Sequence, residues 1–225
     1  MLITEIKGLK FPDESLVRFF FKSGFEAVKE SVLELGCGSG NNLRLFYEYG
    51  WDVTGVDLCY NAISDATTNL SRLKSEYHME NDFQLIQDNM LHFFENSGMK
   101  PFQTVLFPSS IFYLPYPDII TTLELLTKNV KPGGYLFFKL LTDSDYRFHN
   151  INKISLGNNS YRVMFTETGE YGKTITFLSL EKWKELLQKY FLFETLNIYR
   201  HNFDHDHCGV TTDNANIIIY GRLES

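Results

Sequence analysis

The sequence predicts an α/β chain built on a doubly wound, mostly parallel sheet, and three observations lead there. Strand-length apolar runs alternate with helical patterns from residue 32 to residue 141. A glycine-rich turn, Gly36-Cys37-Gly38-Ser39-Gly40, separates the first run from the first helix of that alternation. A carboxylate lies in the first run (Glu34) and at or just beyond the ends of the second and third (Asp57, Asp88). Alternation of this kind covers both faces of a parallel sheet with helices. Ligands of such sheets sit at the carboxyl ends of the strands, so the three acids are expected at one edge.

The elements follow in order. Residues 32–35 form a short apolar strand; Leu43, Leu45, Phe46 and Tyr49 then fall at helical spacing, and Gly50 closes that helix. Residues 51–56 are a second strand ending at Asp57, followed by a helix with Ala62, Ile63, Ala66, Leu70 and Leu73 on one face. Residues 83–86 give a third strand, 90–94 a short helix and 104–107 a fourth strand. Pro117 suits the first turn of a helix through Ile119, Leu123 and Leu126. Lys131-Pro132-Gly133-Gly134 is a turn, and 135–141 is a fifth strand, apolar enough to be central.

After residue 141 the pattern changes. SYRVMF (160–165) and KTITFL (173–178) flank TETGEYG, which predicts a β-hairpin inserted at 143–178. Ser179 is an N-cap candidate for a helix carrying Trp183, Leu186 and Leu187. Residues 191–199 and 216–221 then close the sheet, bringing it to seven strands, around a polar loop, HNFDHDHCGVTTD. Trp51, Trp183 and the run Phe19-Phe20-Phe21 read as packing residues.

Composition narrows the classes. A chain of 225 residues fits a single domain, 1–225, and 20 Phe with 13 Tyr can fill a large core. A net charge of −7, with no Lys/Arg cluster longer than two, argues against a nucleic-acid groove. Three cysteines without zinc-type spacing indicate neither a disulfide framework nor a Cys metal site. Glu5 and Lys7 interrupt any signal-peptide core, and no apolar stretch is long enough to span a bilayer. The expectation is a soluble cytoplasmic protein, monomer or homodimer, without a nucleic-acid or membrane partner.

The glycine turn chooses among ligands only in company. A dinucleotide fingerprint needs glycine at the sixth position of G-x-G-x-x-G, and here that position is Asn41. Glu34 and Asp88 are also superfluous for NAD. They suit a shorter ligand with an amino acid at one end and a nucleoside at the other. Asp57 can accept both ribose hydroxyls, and Asp88 the exocyclic amine of adenine.

With VLELGCGSG, VTGVDL, IQDNM, TVLFPSSIFYL and NVKPGGYLFFKL in this order over about residues 32–141, the chain resembles the class I S-adenosylmethionine-dependent methyltransferase family. The resemblance implies a seven-stranded Rossmann-like fold with an antiparallel last strand, and S-adenosylmethionine as cofactor. It implies that Glu34 and the backbone of Gly36, Cys37 and Gly38 through Gly40 hold the methionine end. Asp57 would take the ribose, with Leu58 flanking the adenine. Asp88, Asn89 and Met90 would frame the base, and the Phe107 carbonyl would meet the methionine amino group. The segment 1–30, with GLKFPDESLVRFFF, is similar to the helix that small-molecule methyltransferases fold over the cofactor.

The acceptor is expected among segments leaving the same edge: Ser109, Tyr113, Asp143, Asp145, Tyr146, Arg147, His149, Tyr161 and Arg162, with His201, Asp204, His205, Asp206 and His207 from the polar loop. Pro108-Ser109-Ser110-Ile111 replaces the Asn/Asp-Pro-Pro-Tyr stretch of some amino-methylating enzymes, and no Pro-Cys pair marks cytosine chemistry. The acidic charge, small size and compact 143–178 insertion favour a small-molecule acceptor, expected to be a sugar, nucleotide or secondary metabolite methylated on a hydroxyl, phosphate or carboxylate oxygen. The open alternatives are a protein or nucleic-acid acceptor, or a non-catalytic binding protein of the same fold. His149 and His201 are the candidates for a base or for positioning the acceptor, since imidazole titrates near neutrality. The Asp-His alternation at 204–207 lacks the i,i+4 spacing of a helical metal pair, so no metal is assigned.

Overall fold

The computed structural model describes all residues except Met1, Ser97, Ile151, Glu167, Thr168, Cys208 and Gly209, and leaves out the side chains of Asn96, His205, His207, Val210 and Thr211. Alternation is realised as β1 (Ser31–Leu35), α2 (Asn41–Glu48), β2 (Asp52–Asp57), α3 (Tyr60–Tyr77), β3 (Phe83–Gln87), α4 (Met90–Asn96), β4 (Phe102–Pro108), α5 (Tyr116–Leu126) and β5 (Val130–Leu141), preceded by α1 (Glu14–Lys22). A small unit follows: α6 (Tyr146–His149), β6 (Lys153–Gly157), β7 (Ser160–Val163) and β8 (Thr174–Thr176). The chain closes with α7 (Leu180–Tyr190), β9 (Phe193–His207) and β10 (Val210–Leu223).

The main sheet has seven strands in the order β3-β2-β1-β4-β5-β10-β9. The pairs from β3 to β5 are parallel, while β10 runs antiparallel to both β5 and β9. The antiparallel last strand is thus β10, lodged between β5 and the edge strand β9. Strand order reverses between β1 and β4. That switch point opens a crevice at their carboxyl ends, because the helices following the two strands lie on opposite faces.

Both faces are packed. Leu33, Leu35, Phe107, Phe138 and Trp183 belong to one buried cluster; Val32, Phe19, Phe46, Trp51 and Phe137 belong to the other. The Trp51 indole lies against Phe25 and Phe46 at 4.9 and 5.3 Å, and its Nε1 donates to the Phe25 carbonyl at 3.1 Å. Trp183 Nε1 donates to the Leu141 carbonyl. Both tryptophans are packing residues, as expected; of the Phe run, Phe19 and Phe20 are buried and Phe21 is exposed. Ser179 caps α7 by accepting from Lys182 N, and Pro117 sits in the first turn of α5. Among the described residues no helix is long and apolar enough to cross a membrane.

The expected hairpin is present as β7 paired with β8, and β6 joins it as a third antiparallel strand through Gly157-Asn158-Asn159, all at positive φ. Two expectations need correction. Residues 201–207 and 210–213 are strand rather than loop: β9 and β10 stay in register from His207↔Val210 down to the sheet. The polar side chains hid a two-stranded ribbon whose ladder needs only backbone. Finally, β5 begins at Val130, so the Pro-Gly-Gly turn is an irregularity within the strand, marked by a register shift opposite Phe102 and Thr104.

Candidate functional site

The glycine turn divides its work among three residues. Gly36 has φ +77°, and a Cβ there would lie 2.5 Å from Ser110 Cβ; no larger residue lets β1 exit against the end of β4. Gly40, also at positive φ, precedes the first residue of α2. Gly38, at φ +53°, faces open space, so a ligand can approach its backbone closely. The turn is held from within: Gly36 N and Cys37 N donate to the Val56 carbonyl, and Gly38 N donates to Asp57 Oδ2 at 2.9 Å. Cys59 N donates to the other Asp57 oxygen at 2.8 Å. Cys37 itself is buried, and burial followed by the nearby Glu34 and Asp57 charges pushes its thiol up, which removes it as a nucleophile.

Glu34 is the anomaly of this edge. Only 1% exposed, it accepts from Asn42 Nδ2 at Oε1, at 2.8 Å; Oε2 is buried without a partner. Burial pushes its carboxyl up to about 8 against the Asn42 side chain and the Leu43 backbone N–H, and the Asp57 and Asp13 charges add to the rise. Ser110 Oγ, beside Gly36, is likewise buried and unpartnered. A carboxylate oxygen and a hydroxyl left without donors are what the cationic amino end of an amino acid would satisfy.

Sequence reasoning missed the belt around this acid. Asp13 N donates to Asn42 Oδ1, Leu9 N to Ser39 Oγ, and Lys7 N to Asn69 Oδ1. Lys139 Nζ meets Asp13 Oδ2 at 2.6 Å. Burial pushes the Asp13 carboxyl up, but the hydrogen bonds of Lys139 and Ser15 and the Lys139 charge outweigh it and hold it below the ordinary range. The signal was present: Asn69 interrupts the apolar face of α3, and Asn42 is a buried amide in the first turn of α2.

On the next strands, Leu58 is exposed beside Asp57, and Asp88 N donates to the Asp57 carbonyl, tying the ends of β2 and β3. Asp88 holds His92 Nδ1 at 2.8 Å from both carboxylate oxygens. Asn89 Oδ1 accepts from Leu91 N, and Met90 opens α4 against the core. Phe107 is buried, stacked on Phe138 at 5.0 Å. The chain then kinks at Ser109, a non-glycine residue at φ +67°. Strain of this sort concentrates at functional edges.

The acceptor-side residues separate into two groups. Tyr113 and Arg147 meet in a buried polar cluster with Asp145, Glu170 and Asn214. Tyr146 lies under the Arg147 guanidinium at 5.1 Å. Tyr161 packs among Phe148 and Phe177 inside the inserted sheet, and Arg162 is exposed on β7. His149 is exposed at the end of α6, its ring against Phe148. His201 sits on the edge strand β9 opposite Asn216, its ring against Phe203. The structure does not bring the two histidines into the cluster. Asp204 lies directly across from Asp213, which raises its carboxyl; the side chains of His205 and His207 and all of Cys208 lie outside the described residues.

With this geometry in view, comparison with known proteins is decisive for the family. A methyltransferase-domain model matches residues 9–190. The chain belongs to the class I S-adenosylmethionine-dependent methyltransferases. Among its relatives, the mRNA cap guanine-N(7) methyltransferase of Candida glabrata is 29% identical over 210 residues, 80% of this chain and 49% of that protein. The ubiquinone biosynthesis O-methyltransferase of Nitrosospira multiformis is 26% identical, over 64% of this chain and 59% of that one. The methyltransferase chain thus spans roughly half the length of these curated relatives. A solved SAM-dependent methyltransferase from Methanosarcina mazei superposes with TM-score 0.60 at 19% identity, covering 87% of this chain and 94% of the other. The N-methyltransferase NodS from Bradyrhizobium japonicum, in complex with S-adenosylhomocysteine, gives 0.58 at 16%, covering 94% and 85%. These likenesses are of fold.

Proposed function

We propose that this methyltransferase transfers the methyl group of S-adenosylmethionine to an oxygen of a small-molecule acceptor, in the cytoplasm, as a monomer or homodimer. The observation that carries the cofactor reading is the buried, half-satisfied Glu34 beside the open backbone of Gly38. Glu34, the turn Gly36 to Gly40 and the Phe107 carbonyl would hold the methionine end. Asp57 would take the ribose, with Leu58, Asp88, Asn89 and Met90 around the adenine. Segment 1–30 would cover the cofactor, and the unit at 143–178 would wall the acceptor side. When bound, the cofactor supplies an electrophilic methyl for in-line displacement. The protein's task is alignment and, for a hydroxyl acceptor, removal of a proton.

Calorimetry tests the cofactor reading. S-adenosylhomocysteine should bind at micromolar concentration and NAD should not; NAD binding alone would end it. Asp57→Ala should weaken S-adenosylhomocysteine by roughly 1.5–3 kcal/mol, the scale of hydrogen bonds to a charged group. Its melting temperature should change little, since Asp57 organises only the glycine turn and the entry to α3, not the core. A variant that melts far lower yet binds normally would give Asp57 a structural role instead.

The cap-methyltransferase relatives favour a second reading, a guanine nucleotide as acceptor. The net charge of −7 weighs against a long nucleic-acid partner but not against a short cap. Methylation of a guanosine-triphosphate-linked dinucleotide, with no turnover of hydroxyl-bearing metabolites, would favour this reading over the first.

A further inference from the structure

The polar cluster where β5, the inserted sheet and β10 meet is unused by the cofactor reading, and one of its members is incomplete. Glu170, 7% exposed, accepts a hydrogen bond from the Tyr113 hydroxyl to Oε1 at 2.5 Å, and Arg147 Nη1 lies 3.5 Å from the same oxygen. Its Oε2 is buried and has no partner. Arg147 is turned toward the interior. Its Nη2 donates to Asn214 Oδ1 at 2.9 Å, and Nε lies 3.0 Å from Asp145 Oδ1, off line for a hydrogen bond and without another partner. The guanidinium thus lies between two internal carboxylates, Asp145 and Glu170. Two carboxylates against one guanidinium leave the cluster one negative charge in excess.

The surrounding cations do not reverse this. Lys153 folds over Phe148 and Tyr161 and donates to the carbonyls of Phe148 and Asn150. Lys173 sits over the Tyr113 ring at 5.3 Å, on the exposed side. The cluster adjoins the cofactor edge through one turn. Tyr113 ends the 3-10 turn Ile111–Tyr113, whose N-cap is Ser110, the residue packed against Gly36.

We propose that Glu170 is the acceptor-facing carboxylate of this methyltransferase, and that its acceptor is a neutral or cationic hydroxyl or amine rather than a phosphate or carboxylate. The proposal rests on the reading of the crevice as the S-adenosylmethionine site, and it widens the acceptor atom from oxygen alone to oxygen or nitrogen. Glu170 Oε2 lacks a donor, and the X–H group of such an acceptor supplies one. A lone pair on the acceptor atom forms the new bond to the methyl carbon. The carbon–sulfur bond breaks with its electron pair going to sulfur, and the acceptor's proton passes to Oε2 and then to solvent. A hydroxyl gives up that proton as it attacks; a protonated amine gives it up before. Tyr113 and Arg147 are positioning residues that fix the carboxylate through Oε1.

The test uses the intact chain and matched probes differing by one acidic group: dopamine against 3,4-dihydroxyphenylalanine, glucose against glucose 6-phosphate, guanosine against guanosine 5′-phosphate. S-adenosylhomocysteine affinity is measured first, then its release during turnover. Cofactor-product affinity should be the same in wild type, Glu170→Gln, Glu170→Asp and Tyr113→Phe. The uncharged or cationic member of at least one pair should be the better acceptor, with hydroxyl and amine probes telling those two classes apart. Glu170→Gln should lower kcat by about 10²–10⁴-fold and Glu170→Asp should recover part of it. If Glu170→Gln fails to fold, Tyr113→Phe carries the test, with kcat expected to fall at least about tenfold and KM to stay level. Preference for the phosphorylated or carboxylated member overturns the proposal, as does wild-type turnover in the variants. So does a panel in which no neutral or cationic probe is methylated or raises the melting temperature of the S-adenosylhomocysteine-loaded protein. Absence of S-adenosylhomocysteine binding sinks the cofactor reading and this inference with it; normal binding without discrimination sinks this inference alone.

Discussion

Glu34→Gln is expected to weaken S-adenosylhomocysteine by roughly 10–100-fold while making the ligand-free protein more stable at pH 8.5. The two effects share one cause. In the ligand-free protein the Glu34 carboxyl is pushed up to about 8, first by burial, so ionising it without a cation is costly. The folded chain keeps a proton that the unfolded chain, with a value near 4.5, has released. Stability therefore falls as pH rises from about 4.5 to about 8, by an amount on the order of 2–4 kcal/mol. Glutamine carries no such penalty, so the variant should match wild type at pH 4.5 and melt several degrees higher at pH 8.5. With ligand the order reverses, because an ammonium group repays the ionised carboxylate. Melting curves at the two pH values, each with and without S-adenosylhomocysteine, check all four corners. A variant that melts lower than wild type at pH 8.5 without ligand, or that binds with native affinity, sinks the assignment.

The first half of the fold was legible because each strand and helix there carries its own pattern. Val32, Leu33 and Leu35 are strand-length and apolar, and the helix after them repeats at i, i+3 and i+4. Glu34, Asp57 and Asp88 were legible because strand topology alone carries them to one edge. What escaped was polar structure held by partners distant in sequence. The ribbon formed by 201–207 and 210–213 offers no apolar alternation to read, and only pairing with β10 makes Asp204 or Asp206 a strand residue. Glu170 belongs to the buried polar cluster through Tyr113, 57 residues away, and no local spacing announces that. Asn42 and Asn69 work through N-terminal backbone 29 and 62 residues away. A buried polar residue declares its need in the sequence but not the group that meets it. His149 is the exposed last residue of α6 and His201 lies on the edge strand, while the incomplete carboxylate lies elsewhere.

Arg147→Ala is expected to destabilise the protein by about 3–5 kcal/mol at pH 7.5, the largest loss any single polar residue here should cause. Two carboxylates depend on this guanidinium. Asp145 is fully buried, and Arg147 is its nearest cation at 3.0 Å; Asp145 also holds the chain by accepting from Arg147 N and from Ala215 N. Burial already raises the Asp145 carboxyl, with the Arg147 charge opposing the rise, so removing the arginine raises it further. Glu170 would lose its only ion-pair partner shown by the described residues. The sign with pH follows. A carboxyl whose folded value lies above its unfolded value loses stability as pH rises, so the variant should recover toward wild type as pH falls from 7.5 to about 5. Adding Asp145→Asn, which removes one stranded charge, should return part of the loss at pH 7.5 and flatten the pH dependence. Urea unfolding at the two pH values measures both, with the m-value reporting whether the inserted sheet is still docked. Loss of less than about 1 kcal/mol, or a loss that grows toward low pH, would mean that the guanidinium is only a surface-type pair and that the two acids are satisfied without it.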